Sequence, residues 1–163
     1  MKETQNSSGA GFTGGQGEAA VLARVRRFLL LILILEMLGI SAELLLAGHT
    51  EKPWQWVPIV LISATLLALG WVMLDRRAAP IQFVQTLMAL FILSGFVGTL
   101  LHYRAKAEFQ LEVNPSLAGA ALFWEAMKSQ APPSLAPGVM IQMGLLGFAF
   151  AYRHPALRKE RKK

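Results

Sequence analysis

Cysteine does not occur in this chain of 163 residues. Its absence removes a disulfide framework, a thiolate metal site, a cysteine nucleophile and a lipoprotein anchor, and leaves the redox compartment open. Charge is also scarce: Asp, Glu, Lys and Arg make up 16% of the residues, against about 25% in a soluble domain. A chain this poor in charge and 54% hydrophobic lacks the polar surface to cover its own core in water, which argues against a soluble enzyme. Acidic residues are fewer than basic ones, ten against sixteen, for a formal net charge of +6. A basic balance can signal nucleic acid, but here the charges lie between long apolar runs, and no aromatic residues interleave with the basic C-terminal tail. The expected partner is the lipid bilayer, with no nucleic acid. Missing too are a phosphate-cradling glycine loop, a serine nucleophile elbow, a dinucleotide fingerprint and the H-E-x-x-H or E-x-x-H spacings of metal enzymes.

What is present is a set of four apolar runs. Residues 1–20 are rich in Gly, Ser, Gln and Thr and bury too little to offset the entropy of ordering them, which predicts a disordered cytoplasmic tail. Spans follow at about residues 26–47, 56–74, 81–103 and 137–152, with a basic cytoplasmic tail at 153–163. The first run starts after a long polar stretch and contains Glu36 and Glu43, so it reads as a retained span rather than a cleaved signal peptide. Trp54, Trp56 and Trp71 near the ends of the second run are suited to membrane interfaces. Gly95 and Gly98 in the third permit close helix packing.

The fourth run, at about 15 residues from Gly138 to Tyr152, is short for a bilayer, and charge supplies the separate argument for it. Arg24, Arg26 and Arg27, then Arg76 and Arg77, then the C-terminal cluster all belong on the cytoplasmic side under the positive-inside rule. Only an even number of crossings allows that. Four spans put 12 basic and 4 acidic residues in cytoplasmic parts and 4 basic and 6 acidic elsewhere, an N-in, C-in protein on the plan of the bacterial inner membrane.

The fold expected is therefore all-α, a four-transmembrane-helix bundle with a short additional interfacial helix in the long outer loop, residues 104–136. In that loop Asn114 and Pro115 read as cap and first position of the helix, with Leu117, Ala120, Ala121, Trp124 and Met127 on one face. The segment Glu108–Val113 fits either a strand of period two or a continuation of the third span.

Ionisable residues within a span are expensive and ask for a reason. Glu36 and Glu43, seven residues apart, share one helical face that should point inward as an intramembrane polar site. In the third span Ser94, Gly98 and His102 rise at i, i+4, i+8 toward the same outer end, with Glu108 and Glu112 beyond. If the first and third spans are neighbours, His49, His102, Glu108 and Glu112 form a ligand cluster suited to a divalent metal such as Zn, Mn or Fe. The plainer reading is that the glutamates tie helices together and the histidines are polar helix ends. Haem or pigment ligation by His49 and His102 is disfavoured, because both lie at helix ends rather than inside the hydrocarbon. Gln82, Gln85, Thr86 and Gln142 are accounted for by interhelical hydrogen bonds. The leading functional expectation is a non-enzymatic accessory or assembly subunit of a larger membrane complex, bound to other subunits or to itself. The alternatives are a small carrier or channel for a proton, metal ion or other solute using Glu36 and Glu43, and a membrane enzyme with an outer metal site.

Overall fold

The computed structural model describes residues 10–48, 52–75, 77–128 and 135–160. Among them there is no strand. The chain forms α1 (Ala10–Leu46), a short 3-10 helix (Pro53–Gln55), α2 (Trp56–Leu74), α3 (Ala78–Val113), α4 (Gly119–Met127), α5 (Leu135–Ala151) and α6 (Pro155–Glu160). Three stretches, Gly17–Leu46, Pro53–Leu74 and Ala78–Val113, are long and apolar enough to cross a membrane, and α5 is a shorter apolar helix of 17 residues. Large apolar side chains face outward along all three: Leu35 is 60% exposed, Leu67 77% and Phe96 62%. Water would penalise such a surface at roughly 25 cal/mol per Å², whereas lipid does not, and this outward apolar band marks an integral membrane protein.

Local chemistry sets the helix starts. Pro58, Pro80 and Pro137 each stand third in α2, α3 and α5, where the first four N–H groups have no intrahelical acceptor and a missing donor costs nothing. The helices then close into a ring in which α1 packs on α5 and α2, and α3 packs on the same two. The first and third spans thus occupy opposite corners rather than adjacent ones, which corrects the neighbour relation on which the expected ligand cluster depended. The core lies between them, built from Leu33 and Met37 of α1, Ile62 and Leu69 of α2, Met88 and Phe91 of α3, and Met143 of α5.

The closest pairing is α3 with α5, and glycine allows it. A Cβ added at Gly95 would come within 2.8 Å of the Pro137 carbonyl oxygen, and one at Gly144 within 2.8 Å of that of Met88. Gly98 meets the ring of Pro137, and Gly147 meets the Met88 side chain. Backbones this close exchange dispersion contacts that longer side chains would forbid. The shortest of the four apolar helices is consequently buried along most of its length, at Pro137, Met140, Met143, Gly144, Gly147, Phe150 and Ala151.

Boundaries differ from the sequence reading in three places. Helix α1 begins at Ala10, inside the stretch whose composition predicts disorder, because a helix once nucleated extends at little cost per residue. Helix α3 runs on to Val113, so the Glu108–Val113 segment is helical and not a strand. Asn114 does not cap α4. It ends α3, and its Oδ1 accepts from the Ser116 N–H at 3.2 Å and from the Ser116 hydroxyl at 2.7 Å. Helix α4 starts only at Gly119, whose φ of 55° a side chain would disfavour. It packs against α3 with Ala126 buried and Phe123 5.8 Å from the ring of Tyr103, while Trp124 and Ala120, of the apolar face expected on an interfacial helix, are exposed.

Candidate functional site

The two glutamates of α1 enter different surroundings. Glu36, half-buried at the seam with α5, accepts a hydrogen bond on Oε1 from Gln142 Nε2 at 2.9 Å, and its Oε2 is buried without a partner among the described residues. Seven residues on, Glu43 is exposed and opens onto a cavity of about 480 Å³. That cavity lies at the end of the bundle away from Arg26 and the C-terminal end of α5, the end expected from the charge pattern to be the outer one. Helix α1 contributes Ile40 and Glu43, the 3-10 helix Trp54 and Gln55 with Lys52 just before it, α3 the series Ser94, Gly98 and His102, and α5 its first residues to Met140. Its cause is a difference in helix length. Helix α5 starts only at Leu135, beside Gly95 and Gly98, while α3 continues a further 15 residues past Gly98, so among the described residues α5 does not reach as far as α3 at this end.

Glu43 and His102 therefore line one space although their helices are diagonal. Glu108 and Glu112 do not line it; they stand exposed about two to three turns beyond His102 along α3. His49 lies outside the described residues. Among the described residues no three His, Asp or Glu side chains converge as a metal site would need. The walls are apolar, including Val97, Leu101, Val139 and Met140. Ser94 lends its hydroxyl to the Phe91 carbonyl at 2.9 Å, and the Lys52 ammonium sits 5.6 Å from the centre of the Trp54 ring, a cation–π arrangement at the rim.

At the opposite end Arg26 supplies a link that sequence reasoning assigned only to topology. Its Nη2 donates to the carbonyls of Tyr152 at 3.2 Å and Arg153 at 2.7 Å, serving the carbonyl groups that the end of α5 leaves free. His154 lies beside it, its imidazole held below the usual range by burial and then by the positive charge of Arg26. A second cavity, about 530 Å³, opens there between Arg27, Asp75, Arg77 and His154. Asp75 is already engaged, accepting from the Arg77 N–H at 3.0 Å and facing its guanidinium at 3.8 Å.

Of the polar residues within spans, Gln142 makes the interhelical bond expected of it. Thr86 instead donates to the Gln82 carbonyl within α3, and Thr99 likewise to Gly95. Gly144 and Gly147 were the packing residues that the sequence reading passed over, although their spacing of three repeats that of Gly95 and Gly98. Comparison with known protein families, curated proteins and solved structures finds no match to this chain, so the functional reading rests on its own residues.

Proposed function

We propose that this chain is a four-span protein of the bacterial inner membrane with both termini in the cytoplasm, serving as a non-enzymatic subunit held to another transmembrane helix along the groove between α1 and α5. Support for the fourth span comes from the path of α5. Its first turns lie against Gly95 and Gly98, its middle bonds Glu36, and its end meets Arg26, so it runs from one end of the bundle to the other, antiparallel to both α1 and α3. At about 1.5 Å per residue it is roughly 25 Å long, and modest thinning of the bilayer or tilt accommodates the shortfall. Helix α4, with Ala120 and Trp124 exposed, is placed on this reading at the outer membrane surface.

The observation that carries the subunit reading is Gln142. Its carboxamide is exposed at mid-depth, and its bond to Glu36 leaves an N–H and a carbonyl oxygen directed at lipid. Hydrocarbon cannot satisfy those groups, whereas a polar side chain on an adjoining helix would, at roughly 0.6–2 kcal/mol per hydrogen bond. Gly39 and Gly138, beside the same groove, have open space where a Cβ would stand, which allows a close approach. The carrier reading has less support, since the outer cavity reaches Ile40 and Met140 but is not lined by Glu36.

A photo-crosslinking residue at Leu145 or Ile32, on the groove, is expected to capture a polypeptide in native membranes. The same residue at Leu67 on α2, diagonal to α5, should capture lipid alone. Lipid adducts alone from all three positions would overturn the subunit reading.

A further inference from the structure

The outer cavity carries two opposite charges above an apolar chamber, and this combination selects a class of ligand. Its volume of about 480 Å³ lies within the roughly 300–1,000 Å³ of small-molecule sites. Val97, Leu101, Val139 and Met140 line its walls, while Glu43 and Lys52 come to it from different elements, together with the imidazole of His102 and the carboxamide of Gln55. A purely apolar occupant would leave both charges facing hydrocarbon. An anionic lipid would satisfy Lys52 but confront Glu43, and a cation the reverse. A zwitterion pairs with each.

Depth and access point the same way. Lys52 and Trp54, held together at the rim, are residue types that settle at the headgroup level. Of the four neighbouring helix pairs, α1 and α2 pack least extensively, so the seam between them offers a lateral route for an acyl chain. Ser94, with its hydroxyl already donated to the Phe91 carbonyl, leaves the chamber's interior suited to hydrocarbon.

We propose that this cavity binds an aminophospholipid of the phosphatidylethanolamine type, with its phosphate at Lys52, its primary ammonium at Glu43 and the first part of one acyl chain entering between α1 and α2 to lie against Val97, Leu101, Val139 and Met140. The ammonium's N–H groups distinguish it from a choline head, which has the charge but no donor for the carboxylate. The inference depends on the chain lying in a membrane and not on the partner helix proposed above, and its readout is separate.

The test uses the full chain purified in mild detergent, with native mass spectrometry of adducts formed with dioleoyl phosphatidylethanolamine, phosphatidylcholine and phosphatidylglycerol at equal concentration. Phosphatidylethanolamine is expected to bind about tenfold more than either of the others, equivalent to about 1.4 kcal/mol. Glu43→Gln should reduce it to the phosphatidylcholine level, and Leu101→Trp, which fills the chamber, should suppress all three. Glu43 and Leu101 are exposed, so both variants should keep the wild-type thermal transition. A diazirine-bearing phosphatidylethanolamine should label α3 peptides containing residues 94–105. Equal binding of the three lipids, or a preference that survives Glu43→Gln, would overturn the proposal. Displacement of the adduct by water-soluble phosphoethanolamine would also overturn it, in favour of a soluble ligand with the same head.

Discussion

Arg26 and His154 meet where α5 ends, and their contact makes that end sensitive to pH. His154 Nδ1 accepts the Ala156 N–H at 3.3 Å, which requires that nitrogen to be unprotonated. Burial and the nearby guanidinium favour the same neutral form. Because the folded-state value lies below the unfolded value of about 6.5, the unfolded chain binds the proton more readily. The contribution to stability is therefore present above about pH 6.5 and is lost as pH falls through the window between the two values. Thermal unfolding in detergent should show a larger drop between about pH 7.5 and about pH 5.5 for the wild type than for His154→Gln, since only the wild type carries this titration. Equal drops in the two proteins would refute the assignment.

The pairing of α3 with α5 turns on glycines that look alike in sequence but differ in their neighbours. A methyl group at Gly39 meets nothing within 4 Å, whereas at Gly144 it meets the Ile92 side chain at 2.6 Å and backbone atoms of α3. Gly39→Ala should be neutral or add about 0.5–1 kcal/mol through the lower entropy of the unfolded chain. Gly144→Ala has to push α5 away from α3 and should cost about 1–3 kcal/mol. Melting temperatures of the two variants in one detergent provide the check. Similar values would mean that α3 and α5 do not approach this closely. The same interface explains why the least conspicuous apolar run is the best buried: its small residues match a partner helix, while the long runs of α1 and α2 display leucines to lipid.

Taken as a whole, the molecule separates its charges along the helix axes. The absence of cysteine makes that arrangement easy to test. A single cysteine at Ser116, in the turn after α3, should react with a membrane-impermeant maleimide added outside intact cells, and one at Glu18 only after permeabilisation. Labelling in the reverse pattern would invert the topology, and labelling of both from outside would mean that an even number of crossings separates them, so that the three long helices do not all span.

How much of this was legible follows from the range of the forces involved. Hydropathy and the scarcity of charge act locally, residue by residue against lipid or water, so the all-helical, membrane-embedded character and the three long apolar helices could be read from composition and run length alone. The i, i+4 spacing of Ser94, Gly98 and His102 likewise placed them on one face, because helix geometry is independent of the rest of the chain. Which helices are neighbours is a matter of surface fit between segments far apart in sequence, and no periodicity records it. Only tertiary packing put α1 and α3 on opposite corners, joined Glu36 to Gln142 at 2.9 Å, kept Glu108 and Glu112 out of the outer cavity and brought Arg26 to the carbonyls of α5. The cavity itself arises because one helix begins lower than its neighbours, a relation between elements that exists only after they have packed.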